Sequence, residues 1–532
     1  MFKKLINQQS KTIASAALIV GVTSLASRVL GVFRDRVLAG EFGAGAELDM
    51  YYAAFRIPDL IFNLIVIGAI SAGFIPIFTQ YLKNKEKAWE LVNVLLNTII
   101  IGLILITAGL ILLSPWLVKI IAPGFDAQHL AVTAQLTQIM FLSPILLGIS
   151  SILGSILQSF KRFFISSLAP IFYNVGIIFG ALFFVPKVGI YGLAWGVVLG
   201  ALLHMAIQIL PVMSLGYRYR FKIDLYNSGF RKILKMMLPR VLTLVISQLN
   251  LMVITIIGST LMIGSITIFN LANNLQSLPL GLFGVSFAIA AFPTLAEQVG
   301  KKKEFLNTLS TVARQILFLI IPASALLIIL RAQIVRIVLG SGKFDWQDTI
   351  LTLETLALFA FSLFAQSLIL LFIRAFYALA DAKTPFFIGL ASAFANIIMA
   401  LMFAERFGVA GLGLAFSLST VLNFILLVLA LHYRLGKIDG TKIILAGSKI
   451  LVATFMLSLA AQATKYAIEP WAGTQTFIGI AVQGSLAAGA GLAVYLLIAW
   501  LLKSEELDYF MASFRRKILR KSVTITETIE TE

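Results

Sequence analysis

Uncharged apolar stretches of about 20 residues recur along almost the whole 532-residue chain, and each is long enough to cross the hydrocarbon core of a bilayer as a helix. The pattern predicts fourteen spans, near 12–38, 50–82, 90–113, 128–158, 164–185, 189–213, 230–257, 262–298, 307–330, 346–378, 384–404, 408–432, 443–466 and 474–502. In hydrocarbon the backbone must satisfy its hydrogen bonds within each helix, so the fold class expected is an all-α polytopic membrane protein. Composition agrees: 59% of residues are hydrophobic, 12% are charged, and the mean hydropathy is +0.97. The basic leader Met1 to Lys11 runs into the first span without a small-residue cleavage site, so that span is expected to stay attached.

Charge then orients the spans. Numbering the connections alternately places 28 basic residues on one side, including Lys83, Lys85, Lys87, Arg218, Arg220 and Lys222, and 7 on the other. The positive-inside rule makes both termini cytoplasmic. The net charge of +18 is accordingly read as topology and anionic-lipid contact, with no nucleic-acid partner. The absence of cysteine excludes disulfides and thiolate metal sites.

An internal repeat sets the organisation. GVAGLGLAFSLSTVLNFIL from Gly408 echoes GIYGLAWGVVLGALLHMAI from Gly189, and the KFD at Lys343 sits where GFD sits at Gly124. Both pairs lie 219 positions apart, an offset of six spans, so the second copy keeps the orientation of the first. Two parallel six-helix lobes are expected, at 1–222 and 223–437, followed by two extra helices at 438–502 and a solvated cytoplasmic tail at 503–532. The gap between such lobes is where a transporter holds its substrate.

Ionisable residues inside spans mark function by default. They cluster between Thr23 and Gln80: Arg28, Arg34, Asp35, Arg36, Asp49, Arg56 and Asp59. Arg28 and Asp35, seven residues apart, share a helix face, and Arg34 points elsewhere. Asp49 falls at the outer entrance, with Arg56 about 10 Å deeper. Arginines on adjacent helices with few carboxylates nearby make an anion site, because guanidinium forks match phosphate oxygens. For Arg34 and Arg36 the competing reading is snorkelling to headgroups; Asp35 and Asp49 are read as partners of the arginines. In the eighth span Asn270, Asn273, Asn274 and Gln276 either donate to a sugar or phosphate or join helices, and both readings stay open. Pro58 and Pro279 occupy corresponding spans of the two lobes and are expected at hinges. Asn174, His204, Gln208, Gln248, Asn250, Glu354, Gln366 and Asn396 are read as packing contacts, and Arg240 and Arg374 as snorkelling. Three scattered histidines and the lack of an acidic cluster or Walker motif give no basis for an enzyme, and no cofactor is expected.

SRVLGVFRDRVLA, GAGAELDMYYAAFRIPDLI, GAISAGFIPIFTQY, NNLQSLPLGLFGVSFAIAAFPTLAEQ and KTPFFIG together resemble the MurJ (MviN) lipid II flippases of the MOP superfamily. The resemblance implies export of an undecaprenyl-diphosphate-linked disaccharide-pentapeptide across the bacterial inner membrane by alternating access of the two lobes; a monomer is expected. It implies that Arg28, Arg34, Asp49 and Arg56 line the cavity and that the last two helices hold the lipid tail; Asn273 and Asn274 are further substrate-binding candidates. This chain departs from the family pattern at Phe62, Asn63 and Ile67, where many members carry an Arg-Arg pair and a Glu, and at Asn273, Asn274 and Ser277, where many carry Asp-Arg and a Glu. Alternatives are an exporter of another undecaprenyl-diphosphate-linked oligosaccharide or a MATE-type cation or drug antiporter.

Overall fold

The computed structural model describes residues 13–64, 71–436, 440–473 and 476–512, and among them every regular element is a helix. In order these are α1 (Ile13–Phe42), α2 (Ala46–Ile61), α3 (Ser71–Tyr81), α4 (Lys85–Ile121), α5 (Ala127–Met140), α6 (Leu142–Ser159), α7 (Phe163–Phe179), α8 (Val185–Val188), α9 (Tyr191–Met213) and α10 (Ser228–Ser259). They continue as α11 (Ser265–Pro279), α12 (Ser286–Glu297), α13 (Lys302–Ile329), α14 (Arg331–Val338), α15 (Trp346–Phe361), α16 (Leu363–Ala378), α17 (Lys383–Leu435), α18 (Gly440–Ala472) and α19 (Phe477–Leu501). Nine of the described segments are long and apolar enough to cross a membrane, or ten when α15 and α16, bent by 44°, count as one. The protein is therefore multi-pass, while length and composition alone do not establish the fourteen crossings expected. The expected spans outside the ten are α1, the α2–α3 pair, α10 and the second half of α17, all of them helical.

Proline accounts for much of the internal hydrogen bonding. Each interior proline lacks an N–H and frees the carbonyl four residues before it, which hydrocarbon cannot solvate. Thr137 donates to the Ala54 carbonyl below Pro58 (3.4 Å), Gln138 and Ser114 to the Ile111 carbonyl below Pro115 (3.4 and 2.8 Å), and Tyr495 to the Phe318 carbonyl below Pro322 (2.7 Å). Pro279 ends α11 and is followed by a π-helical turn, Leu280–Val285, of the kind that bends a helix without breaking it.

The 219-residue offset reappears in the backbone. Gly189 (φ 63°, ψ −150°) and Gly408 (φ 57°, ψ −137°) share a conformation that only glycine adopts readily. Three residues on, a Cβ on Gly192 would strike Phe184 and Val185, and one on Gly411 would strike Phe403 and Ala404. All four pairs of positions differ by 219, so the two copies turn and pack at these corners alike.

The described residues form two compact units. The first comprises Met1–Leu271, Val338–Leu351 and Asn396–Leu412. Its core at the lysine-rich end is built on Phe74, Phe78, Leu91, Leu95 and Ile156, all fully buried. There the segment after α9 runs extended along α4, held by two asparagines. Asn93 accepts from the Tyr217 hydroxyl (2.8 Å) and the Arg220 N–H (3.0 Å), and Asn97 donates to the carbonyls of Arg220 and Lys222 (3.0 and 3.2 Å).

The second unit comprises Ala272–Ile337, Thr352–Ala395 and Gly413–Glu532. Of the end expected to be solvated after Leu502, Ser504, Glu506, Leu507 and Phe510 pack against the unit, while Glu505, Asp508, Tyr509, Met511 and Ala512 stay exposed. Arg314 of α13 bonds to Glu506 (2.7 Å), which is 4% exposed, Leu507 is buried, and Phe510 stacks on Phe318 at 5.8 Å. Alternation of acidic and apolar side chains there fits a short amphipathic turn; residues 513–532 lie outside the described set. Asp381 caps the start of α17 through Thr384 and pairs with Arg434 near the other end of the same helix.

Candidate functional site

Helix α2 carries the site of the first unit because Asp49 and Arg56, two turns apart, lie on one face. The Asp49 carboxylate is buried and accepts from the backbone N–H groups of Gly264 (2.7 Å) and Thr267 (2.8 Å) and from the Thr267 hydroxyl (2.7 Å). It caps the N-terminus of α11 from another helix, where the unbonded amides and the helix dipole favour an anion. Two turns deeper, Arg56 donates through Nε to Thr255 of α10 (2.6 Å) and through Nη2 to Asn270 of α11 (2.9 Å). Both acceptors are neutral. Among the described residues no carboxylate forms an ion pair with Arg56, and Asp59 is the acid within electrostatic reach.

Arg34 is bound differently. It reaches back to Asp35 through Nε (3.1 Å) and Nη2 (2.8 Å), and through Nη1 to Asn174 of α7 (3.0 Å), so its charge is neutralised in a largely buried pair. Arg28, one to two turns earlier on α1, is half-buried. Arg36 makes a long contact with the Val338 carbonyl (3.4 Å).

At the lysine-poor end the first unit closes on itself twice. The Gly124 N–H donates to Ser259 (3.2 Å), and the Lys343 N–H donates to the Gly40 carbonyl (2.8 Å). The two donors, Gly124 and Lys343, are 219 residues apart, and so are the two acceptors, Gly40 and Ser259. The Ala44 N–H adds a bond to Asp348 (2.8 Å).

A cavity of about 320 Å³ opens beside Arg34. Phe55, Pro58, Phe62, Leu147 and Pro170 form its apolar walls, and Arg34, Asp59, Ser143, Tyr173 and His204 its polar ones. His204 is fixed by Ser150 through Nδ1 (2.7 Å), and Gln208 donates to the same hydroxyl (2.6 Å). Reading the sequence for charge singled out the arginines and left Tyr173 unnoticed and His204 as packing; the signal available was a histidine and a tyrosine inside spans.

Asn273 and Asn274 belong to the second unit. There Asn273 accepts from Gln276 (2.9 Å), Gln276 accepts from Gln366 (2.9 Å), and Gln366 continues to Ser362 at the α15–α16 bend (3.0 Å). The Asn274 carbonyl takes the Ser277 hydroxyl (2.7 Å). Asn250 and Asn396 bond to each other (2.8 Å), whereas Glu354 is exposed. Asn63 donates to the Asp59 carbonyl (2.8 Å), and Ile67 lies outside the described residues, as does the Arg240 side chain. Among the described residues no group of acids and histidines could hold a metal ion.

Comparison with known proteins gives one family. The family model described as Lipid II flippase MurJ matches residues 38–482. The probable lipid II flippase MurJ of Buchnera aphidicola subsp. Acyrthosiphon pisum is 31% identical over 425 residues, covering 78% of this chain and 83% of that protein. That of Rhizobium tropici is 28% identical over 520 residues, covering 94% and 96%. A solved lipid II flippase MurJ in an inward closed conformation matches with a TM-score of 0.75 at 26% identity, over 91% of this chain and 98% of that one. An inward-facing MATE family transporter of the MOP superfamily shares the fold, with a TM-score of 0.67 at 14% identity over 80% and 99%.

Proposed function

This chain belongs to the lipid II flippase MurJ family, and from that membership we propose that it carries lipid II from the cytoplasmic to the outer leaflet of a bacterial inner membrane by alternating access. The observation that supports a role for this chain's own residues is Arg56, a cation deep in α2 held by two neutral acceptors and no ion pair among the described residues. A diphosphate outcompetes a hydroxyl and an amide for a guanidinium fork, because charge-assisted bidentate bonds are roughly twice as strong as neutral ones. Arg28 assists it. Arg34, neutralised by Asp35, shapes the wall more than it attracts, and Asn273 and Asn274 offer uncharged donors to the headgroup.

The lysine-rich end faces the cytoplasm in this reading, and the protein works as a monomer without chemical change to its lipid. Asp49 contributes through closure: while it caps α11, the lysine-poor end stays shut. A diphosphate with about two negative charges gains roughly 4 to 5 kcal/mol on moving outward across a membrane held at 100 mV, inside negative, enough to bias export without nucleotide hydrolysis.

The test is outward exposure of lipid II in cells depleted of their own flippase, with this protein and its Arg28→Ala and Arg56→Ala variants at equal membrane levels. Wild-type protein restores exposure and the variants do not. An inserted, folded wild type that fails replaces lipid II with another lipid-linked glycan.

A further inference from the structure

The cavity beside Arg34 has the wrong electrostatics for a diphosphate. Its arginine is already paired with Asp35, and Asp59 adds a negative charge to its rim. An anion placed there would face one compensated cation and a second carboxylate, and desolvation would penalise it further. Its walls suit a different ligand. Phe55, Phe62 and Tyr173 supply apolar rings, and Asp59, Ser143, Tyr173 and His204 supply polar atoms.

Three of those atoms are available. The Tyr173 hydroxyl makes no hydrogen bond among the described residues. With Nδ1 of His204 on Ser150, Nε2 is left for a ligand, and the ring stands edge-on to Tyr173 at 6.4 Å. The Asp59 carboxylate on the cavity wall is a double acceptor of the kind that takes adjacent hydroxyls. At about 320 Å³ the cavity stands at the lower limit for small-molecule sites, one ring rather than a whole headgroup.

We propose that this cavity is a carbohydrate subsite that seats one N-acetylhexosamine ring of the headgroup, its apolar face on Phe62 and Tyr173 and its hydroxyls on Asp59, Tyr173 and His204. The assignment rests on the lipid II reading and deepens it. Recognition of the neutral sugar in this cavity is separated from recognition of the diphosphate at Arg56, so the headgroup is bound at two chemically distinct points of one unit.

The probe is methyl N-acetyl-β-glucosaminide, which carries a sugar and no phosphate. Saturation-transfer NMR on the purified full chain is expected to show transfer to the acetyl and ring protons. The near-isosteric Asp59→Asn and Tyr173→Phe variants, with melting temperatures matching wild type, are expected to reduce the signal at least severalfold. Phe62→Ala is expected to reduce it further. No transfer to wild type, transfer indifferent to all three cavity variants, or displacement of the glycoside by inorganic pyrophosphate would each overturn the proposal. Lipid II exposure, lost in Arg56→Ala but scored in the same cells, reports separately on the flippase reading. Its failure with intact glycoside transfer would indict that reading and not the cavity.

Discussion

Replacing Asp49 by Asn keeps size and shape while removing the charge that holds the α11 N-terminus. In the native structure one carboxylate accepts three hydrogen bonds, two of them from backbone amides at the positive end of a helix. An Asn has one acceptor atom, so its NH₂ group must confront either the Gly264 or the Thr267 N–H. Losing one charge-assisted bond costs about 1.5 to 3 kcal/mol, and losing the interaction with the helix dipole adds about 0.3 to 1 kcal/mol. The smaller figures give about 2 kcal/mol, or roughly 30-fold in the equilibrium between capped and released α11. The chain contains no cysteine, so a single Ser265→Cys substitution, fully buried beside the cap, gives a clean reporter. Its reaction with a membrane-impermeant maleimide added outside proceeds through the released state. Asp49→Asn should therefore speed labelling by roughly 30-fold at matched expression. An unchanged rate refutes the reasoning, and so does a wild-type rate already equal to that of a free thiol.

Two further outcomes follow from the backbone and from a loop carboxylate. Gly189→Ala and Gly408→Ala each force a side chain into a strained conformation with open space around the new Cβ, so each should destabilise the protein by a similar amount, about 1 to 3 kcal/mol. Thermal melting in detergent checks this, and a neutral result at either site would show that the corner relaxes. Asp381 lies in the loop before α17; partial burial would raise its pKa, but bonds from Thr384 and the Arg434 guanidinium prevail and hold it below the usual carboxylate range. A depressed native pKa contributes stability above the unfolded value of about 3.9 that is lost as pH falls through the native one. Asp381→Asn should therefore melt lower than wild type at pH 7, and the gap should narrow as the pH is brought below about 4; a gap independent of pH would exclude the ionic contribution.

The sequence carried its helices openly because apolar runs admit one backbone solution in hydrocarbon. The repeat was legible in two short echoes, and Gly189 and Gly408 turned out to share a conformation as well as an offset. What escaped was pairing. Two of the three partners of Asp49 are backbone amides, which leave no trace in residue type. Arg34 and Asp35 are chain neighbours whose Cβ atoms diverge by about 100° on the helix, yet the long guanidinium stem bends back to its neighbour. Arg56 was visible as a buried cation, but its contact with Asn270 required knowing that α2 and α11 run side by side. The packed face of the turn at 504–512 was hidden because its one charged anchor, Arg314, lies nearly two hundred residues away on α13.

The doubled contact at the lysine-poor end also speaks about ancestry. Gly124 on Ser259 and Lys343 on Gly40 are the same pair of positions meeting in both directions, which is the signature of an isologous interface between identical subunits. A two-fold dimer of a single repeat would make this contact twice by symmetry. Joining two such copies in one chain would keep the geometry and release each version to drift, leaving a glycine as the donor in one contact and a lysine in the other.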